Sequence, residues 1–339
     1  MSKRRRLLIL GLGLYALAFL ASATVGSLTY FHYADPQNTC ASCHEMTGMH
    51  SDWSASAHRT LHCRNCHGGS LTLDVHALQS HLRRVTQHFT GDVQPERIRL
   101  KERDALAVHE ACRNCHPQTF SEWETSRHTT TYGRIFLDPT HNKAERVSDD
   151  CLRCHGMFYE GEAKTLVTPL DKTGPWTMRD PHQEALSAIP CLACHQVHTP
   201  AADAQPPHFY DRREGMHIAA ERLSVLQAHD AHGQAVKVSP DTRQRLCQRC
   251  HAPSASSAHG LGTSDDRTPV GVHAGLSCLD CHAMHTTSAR ASCANCHPAN
   301  SHCGIDVKKM DTTFLDPTSK HNIHRVACAD CHAQGVPGR

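Results

Sequence analysis

The stretch Cys40-Ala41-Ser42-Cys43-His44 has the form C-x-x-C-H, and eight further copies of this frame follow it in a chain of 339 residues. Two thiols two residues apart can both bond to the edge of one porphyrin, and the histidine that follows is then close enough to ligate the iron. Structural zinc and a disulfide framework are the alternatives, but zinc sites pair C-x-x-C units without requiring a histidine after each one. The frame therefore predicts nine covalently bound c-type haems.

All but one of the 19 cysteines fall in these motifs, and we predict that these bond to haem. They are Cys40, Cys43, Cys63, Cys66, Cys112, Cys115, Cys151, Cys154, Cys191, Cys194, Cys247, Cys250, Cys278, Cys281, Cys293, Cys296, Cys328 and Cys331. The histidines that end the motifs are the predicted proximal iron ligands: His44, His67, His116, His155, His195, His251, His282, His297 and His332. The remaining cysteine, Cys303, is predicted to be a free thiol, with haem ligation or an intermolecular disulfide as alternatives.

The composition offers little material for a conventional core, because aromatic residues make up 5% and hydrophobic residues 39% of the chain. Haem adds large apolar faces that the polypeptide can wrap. We therefore expect a mainly α fold with long loops and almost no sheet, in which short helices wrap a chain of nine haems. The formal charge is only +2, and the 35 Lys and Arg residues are dispersed, so we expect them to pair with haem propionates and not with nucleic acid.

The N-terminus has the pattern of a membrane anchor. Basic residues from Lys3 to Arg6 precede a charge-free run from Leu7 to Phe31, which is long enough to span a bilayer as one helix. The basic cluster favours a cytoplasmic N-terminus, so we expect an inner-membrane protein with residues 1–33 as anchor and periplasmic haem domains. A cleaved signal peptide is the alternative, since the stretch Ala21-Ser22-Ala23 has the form of a cleavage site.

Around the first motif the sequence reads CASCHEM, shortly after the apolar N-terminus. This arrangement resembles the NapC/NirT family of membrane-anchored quinol dehydrogenases. The resemblance implies that Met46 ligates the first haem in place of His44, that this haem takes electrons from quinol, and that His58 ligates the fourth haem. A packing role is the alternative for Met46. The family also places a lysine on a haem after the second motif, but residues 68–100 contain none, so we expect a histidine to replace it: His76, His81 or His88.

Two internal repeats link the motifs. The first is Trp-x-x-Ser-x-His, which ends at His58 after the first motif and at His128 after the third, so His128 is a candidate distal ligand by analogy. The second is FLDPT, which begins at Phe136 and Phe314, each time ahead of a His-Asn pair and another motif. The repeats predict haem pairs built on one template, with equivalent histidines at two positions: His141 and His321.

Further histidines are candidate distal ligands by position. Residues 191–198 and 278–285 share the form C-x-x-C-H-x-x-H, and their last residues, His198 and His285, resemble the distal ligands of periplasmic multihaem electron conduits. Others are placed just before a motif: His109, His273, His321 and His324. The pattern of motifs predicts a membrane-proximal four-haem domain over residues 34–175 and a distal five-haem domain over residues 176–339. Apolar spacing also predicts a helix from Met216 to His229.

These patterns predict an electron-transfer protein. With an imidazole on each side of the iron, a haem is closed to substrate and suited to electron transfer. We expect electrons to come from quinol or an inner-membrane donor and to leave to a periplasmic redox protein. A terminal oxidoreductase acting on nitrite, hydroxylamine or tetrathionate at an open haem is the first alternative, and a soluble shuttle without the anchor is the second. The sequence leaves the oligomeric state open.

Overall fold

The structure of the chain is a computed structural model, and it describes residues 3–34, 41–67, 83, 86–91, 93, 100–195, 197–198, 209–211, 216–218, 235–251, 267–286, 289–297 and 306–335. Within these residues the chain is mostly helical, with short α-helices and 3-10 turns joined by loops. It divides into two compact units, residues 1–111 with 197–203, and residues 112–196 with 204–339. The predicted domain boundary at residue 175 stays a prediction.

The helices are short except at the N-terminus. Helices α1 to α4 are Lys3–Ala34, Thr47–Ala55, Cys63–His67 and Glu102–Cys115, and the last of these ends at the start of the second unit. The second unit continues with α5 to α12: Pro117–Glu124, Tyr132–Phe136, Pro139–Ala144, Cys151–Cys154, Ala163–Leu166, Arg245–His251, Cys278–Cys281 and Cys328–Cys331. The 3-10 turns are His44–Met46, Pro181–Ala185, Cys191–Ala193, Thr242–Gln244, Gly271–His273, Arg290–Asn295, Val307–Lys309 and Ile323–Arg325.

Helix α1 confirms the predicted apolar N-terminal helix. Its 24 residues Arg4–Ser27 form the one stretch among the described helices that could cross a membrane by length and composition. A signal sequence near an N-terminus has the same properties. The helix runs without interruption through Ala21-Ser22-Ala23 and ends at Ala34.

Sheet is confined to two small hairpins among the described residues. In the first, β1 (Val167–Thr168) pairs antiparallel with β2 (Thr177–Met178). In the second, β3 (Phe209–Asp211) pairs antiparallel with β4 (Met216–Ile218). The predicted helix from Met216 to His229 is therefore wrong at its start, because Ile218 and Met216 pair across the hairpin with Phe209 and Asp211, a non-local contact that favours strand. The rest of that predicted helix lies outside the described residues.

Residues 132–188 of the second unit have a conventional hydrophobic core, which the composition did not predict. The ring of Tyr132 stacks on Phe136, and both are 1% exposed. Leu152 from the fourth motif is completely buried in the same cluster, together with other apolar side chains: Val147, Ala163, Leu166, Val167, Trp176, Met178 and Ala188. The apolar side chains of this part of the chain therefore pack against one another and form a core.

The two FLDPT copies begin alike and then differ. In the first copy Asp138 caps α7 by accepting hydrogen bonds from the amides of Thr140 and His141. In the second copy Asp316 accepts from the amide of Thr318 at 2.8 Å, but this turn does not continue into an α-helix. The second copy has two additional residues, Ser319 and Lys320, before its His-Asn pair. The insertion moves that pair out of the first turn, so it begins a separate 3-10 turn, Ile323–Arg325.

Candidate haem-binding sites

Six of the seven attachment motifs in the second unit share one backbone turn. In each of the six, the amide of the motif histidine donates to the carbonyl of the first cysteine, at 2.8 to 2.9 Å, and the histidines that do so are His116, His155, His195, His282, His297 and His332. This is the i to i−4 bond of one α-helical turn, which holds the two cysteines three positions apart on one side of the turn. The local sequence therefore forms the geometry that a covalently attached porphyrin requires.

The motif thiols are available for bonding. None of the motif cysteines whose side chains the structure describes is in a disulfide. A hydrogen bond with Cys112, together with burial, raises the pKa of the Cys191 thiol, which places the third and fifth motifs side by side. The sixth and seventh motifs also adjoin, because the Gln244 side chain accepts from the Cys278 amide at 3.2 Å, and Gln244 lies three residues before Cys247. Cys40 and Cys303 lie outside the described residues.

In the first unit, two motif histidines each have a second histidine beside them. His44 lies against His88, with ring centroids 5.1 Å apart. His67 lies against His198, with centroids 6.1 Å apart. His198 follows the fifth motif in sequence, yet it packs against the second.

In the second unit, four further motif histidines have a second histidine beside them. His251 pairs with His128 at 6.2 Å between ring centroids, and His297 pairs with His273 at 6.4 Å. His282 and His324 are 6.1 Å apart with their rings parallel to within 3°. The fourth pair is His195 with His285, whose centroids are 5.7 Å apart and whose Nε2 atoms are 3.5 Å apart.

These distances fit two imidazoles on one haem iron. On each side of an iron, the iron–nitrogen bond would add about 2 Å and the distance from the nitrogen to the ring centroid about 1.1 Å. The two ring centroids would then lie roughly 6.2 Å apart. The pairs of His67, His251, His282 and His297 lie at 6.1 to 6.4 Å, and those of His44 and His195 are closer. The thiols, the turn and the paired imidazoles therefore form a donor set that suits c-type haem.

Some paired histidines are held in the neutral form that a metal requires. Burial lowers the pKa of His324 to about 4, and the nearby His282 adds to the effect. Burial is also the main cause that lowers the pKa of His198, with a further contribution from His67. A neutral imidazole retains a nitrogen lone pair at physiological pH.

Three of the second histidines have a defined acceptor at Nδ1, which leaves Nε2 as the metal-binding nitrogen. The Nδ1 atom of His324 is 3.1 Å from the side-chain oxygen of Asn322, and that of His273 is 3.2 Å from the carbonyl oxygen of Ile323. The Nδ1 atom of His88 is 2.7 Å from a carboxylate oxygen of Glu45. One tripeptide, Asn322-Ile323-His324, thus orients two imidazoles of the second unit.

The first motif contains a buried acid that the sequence did not mark as functional. Glu45 follows His44 directly and is 8% exposed, and the same carboxylate oxygen that contacts His88 lies 3.3 Å from His44 Nε2. A hydrogen bond from its own backbone amide is the main cause that lowers the pKa of Glu45, and His88 and His44 lower it further. Its neighbour Met46 is half-buried at the end of the 3-10 turn.

The Trp-x-x-Ser-x-His repeats fold alike. The buried hydroxyls of Ser56 and Ser126 accept hydrogen bonds from the amides of His58 and His128, at 3.1 and 3.2 Å. His128 reaches His251 of the sixth motif.

Other candidate ligands remain predictions. His109 is 3% exposed on α4, and His321 is half-buried. The side chain of His141, which the repeat predicts to be equivalent to His321, is exposed, and its Nε2 atom lies 3.8 Å from a carboxylate oxygen of Glu145. The roles of Met46 and His58 are also untested, and His76 and His81 lie outside the described residues. Asn322 was overlooked as a positioning residue, although the repeated His-Asn pair was a visible signal for it.

The motifs, their cysteines outside disulfides and the paired histidines define a multihaem c-type cytochrome. A family model described as cytochrome c3 matches residues 219–298, which include the sixth, seventh and eighth motifs. That match supports covalently bound haem c and electron transfer as the chemistry of this chain. Comparison with curated proteins found no match, and comparison with solved structures found none either. The resemblance to the NapC/NirT family stays a prediction.

Proposed function

We propose that this chain is a membrane-anchored cytochrome with nine haems, which transfers electrons from quinol or another inner-membrane donor to a periplasmic redox protein. The observation that carries the proposal is the pairing of six motif histidines with a second histidine, four of them at the separation that two axial imidazoles require. When bound, each haem supplies a one-electron ferric–ferrous couple.

The protein's residues hold the redox groups and adjust their potentials. The motif cysteines would hold each porphyrin covalently, and the second histidines would close the iron to exogenous ligands. The Nδ1 acceptors Asn322, Ile323 and Glu45 set the orientation and basicity of three imidazoles. A closed iron favours electron transfer over binding of nitrite, hydroxylamine or tetrathionate. This is the reason that we prefer a relay to a terminal oxidoreductase.

The N-terminal helix supports an inner-membrane location. The candidate span Arg4–Ser27 begins within the basic cluster Lys3–Arg6, and the positive-inside tendency favours a periplasmic position for the haem-bearing part. Helix α1 continues beyond Ala21-Ser22-Ala23 to Ala34, which favours an uncleaved anchor over a signal peptide.

Intact mass of the purified protein tests the haem count. We expect nine porphyrin increments, a loss of one in Cys278→Ala/Cys281→Ala, and no loss in the matched control Cys303→Ala. The mass also reports whether the first residues are retained. Fewer increments in the wild type, or an unchanged count in the double variant, contradict nine covalent haems.

Spin state and membrane assays test the relay. We expect low-spin ferric signals in electron paramagnetic resonance, retention in membranes after a high-salt wash, and reduction of the haem absorbance by a reduced menaquinone analogue in liposomes. A high-spin haem that changes on addition of nitrite, hydroxylamine or tetrathionate favours the oxidoreductase. Release by salt together with failure of quinol to reduce the protein favours a shuttle.

A further inference from the structure

Two segments of the second unit, residues 270–273 and residues 322–326, lie against each other, and we call them together the ligand ladder. Two backbone amides of the first segment donate to two carbonyls of the second, and these bonds are Val270 to His324 at 2.8 Å and Val272 to Val326 at 2.9 Å. Donor and acceptor both advance by two residues, so the segments run in the same direction. The ladder joins parts of the chain that are about 50 residues apart in sequence.

Each segment of the ladder carries one histidine that lies beside a motif histidine. His273 pairs with His297 of the eighth motif, with ring centroids 6.4 Å apart, and His324 pairs with His282 of the seventh motif at 6.1 Å. Both separations agree with the value of about 6.2 Å for two imidazoles on one iron. The ladder therefore holds the candidate second ligands of two different haems.

The hydrogen bonds of the two rings leave the same nitrogen available for iron. The Nδ1 atom of His273 is 3.2 Å from the carbonyl oxygen of Ile323, which can only accept, so this nitrogen carries the hydrogen. The side-chain oxygen of Asn322 accepts from the amide of His324 at 3.0 Å, and it lies 3.1 Å from His324 Nδ1. Nε2 is thus the metal-binding nitrogen of both rings, and no ionisable acceptor is involved.

The attachment ends of the same two motifs are also joined. Ser292 directly precedes the eighth motif, and its hydroxyl donates to the carbonyl of Cys281 in the seventh motif at 2.7 Å. This bond connects α11 (Cys278–Cys281) to the 3-10 turn Arg290–Asn295. The seventh and eighth motifs are therefore connected both where porphyrin would be attached and where the second ligands are held.

We propose that the ligand ladder is a shared support for the second axial ligands of the haems at the seventh and eighth motifs, so that these two haems form one unit of the electron relay, and that Gly271 is the positioning residue on which this support depends. The inference rests on the proposed function, because it requires haem at both motifs. It goes beyond that function by grouping two of the haems and by assigning a role to a residue that ligates neither of them.

Gly271 allows the two segments to approach each other. Its φ is +66°, and a Cβ atom at this position would overlap the carbonyl oxygen of Val326 and lie 2.9 Å from the carbonyl carbon. Val326 is 4% exposed, so its backbone has little room to move away. An alanine at position 271 must therefore push the segments of the ladder apart.

Gly275 provides a matched comparison in the same loop. Its φ is +87°, so an alanine there has a similar backbone cost. A Cβ atom at Gly275 would meet only the side chain of Lys237, at 2.8 Å from its Cδ atom, and this side chain is exposed and flexible. The two substitutions thus share the strain of a positive φ, but only the one at Gly271 separates the ladder.

The test uses the full-length holoprotein in detergent. His273→Ala and His324→Ala first identify the two haems, because each variant should convert one haem to high spin and remove one low-spin signal in electron paramagnetic resonance. Gly271→Ala then tests the ladder, with Gly275→Ala as the control. Intact mass establishes that each variant carries its porphyrins, and a spectroscopic redox titration measures the potentials.

We expect Gly271→Ala to change the g values of both identified signals and to leave the other low-spin signals as in the wild type. The haem of the eighth motif should also move to higher potential, because a longer contact between His273 and Ile323 makes the imidazole less basic and favours ferrous iron. Gly275→Ala should match the wild type in g values and potentials. A glycine with only a structural role would lower stability without selecting these two signals.

Ser292→Ala tests the same unit without backbone strain, and it keeps the proposal open to test if Gly271→Ala does not fold. Loss of the bond to Cys281 should change the same two signals, by less than Gly271→Ala does. The matched control is Thr125→Ala, which removes an exposed hydroxyl that donates at 2.8 Å to the carbonyl of Glu122 at the end of its own helix. This control should leave all signals unchanged.

Three results overturn the proposal. One is a Gly271→Ala protein in which only one of the two identified signals changes, or neither does. The second is a Gly275→Ala protein with the same spectral changes as Gly271→Ala. The third is a Ser292→Ala protein whose two signals equal those of the wild type. If His273→Ala and His324→Ala leave every haem low-spin, the histidine pairing behind the proposed function is itself contradicted, and the two failures are thereby distinguished.

Discussion

The two FLDPT copies use the same residues for different purposes. In the first copy Phe136 is 1% exposed in a hydrophobic core, and Asn142 donates to the Phe136 carbonyl at 2.8 Å. In the second copy Phe314 is only half-buried, and Asn322 accepts from both the amide and the ring nitrogen of His324.

The difference between the copies shows that a repeated motif can keep the same local turn while its residues serve different purposes. Counted from the shared asparagine, His324 occupies the position that Ala144 has in the first copy. One copy therefore stabilises a protein core, whereas the other presents an imidazole to His282. Four measurements test this division of roles between the two copies.

The largest expected effect is loss of an axial ligand. His324→Ala should convert one haem of the holoprotein from low spin to high spin, because the imidazole paired with His282 at 6.1 Å is removed. The measurement is spin quantification by electron paramagnetic resonance, with intact mass as a check on haem content. His141→Ala is the matched control from the first copy, and we expect no change. Equal effects of the two variants would contradict the division of roles.

The second effect concerns the aromatic side chains. Phe136→Ala removes a buried ring from a packed core and should reduce the free energy of unfolding by about 3–5 kcal/mol. Phe314→Ala should cost clearly less, because its side chain is only half-buried. Urea unfolding followed by far-ultraviolet circular dichroism measures both. The comparison fails if Phe314→Ala is as damaging as Phe136→Ala.

The third effect separates the two asparagines. Asn142→Ala leaves the Phe136 carbonyl unpaired at a 1% exposed site and should cost about 1–3 kcal/mol of stability without changing any potential. Asn322→Ala removes an N-cap, which costs about 1 kcal/mol, and also frees His324 Nδ1, so one haem should change its potential. Urea unfolding and redox titration of both variants provide the test. A shift of potential in Asn142→Ala would show that the first copy also touches a haem.

The smallest effect depends on pH. Hydrogen bonds from the amide and hydroxyl of Thr318 lower the pKa of Asp316. A carboxyl whose folded pKa lies below its unfolded value of about 3.9 stabilises the fold fully above that value, and the contribution is lost as pH falls through the folded pKa. Asp316→Asn should therefore be slightly less stable than the wild type at pH 7, and this deficit should disappear as the pH falls through the folded pKa of Asp316. A deficit that stays the same as the pH is lowered would rule out this cause.

The backbone turn of the predicted haem attachment sites could be predicted from sequence because its geometry is local. Five residues form one helical turn, with the histidine amide bonded to the first cysteine's carbonyl, and no distant contact is needed. The apolar N-terminal helix could also be predicted from the sequence, because the length of the hydrophobic run alone indicates such a helix. The same reasoning failed for residues 216–218, where pairing with residues 209–211 outweighs helical spacing.

The order of residues along the chain predicts where haem can be attached and which histidine lies next to each thiol pair. Which second histidine meets which motif depends on the folded chain, as with His195 and His285, which are 90 residues apart. With 31 histidines in the chain, many imidazoles are chemically suitable, so the choice among them depends on long-range packing. The contact between Glu45 and His88 could not be predicted either, because a hydrogen bond between distant segments leaves no local pattern in the sequence.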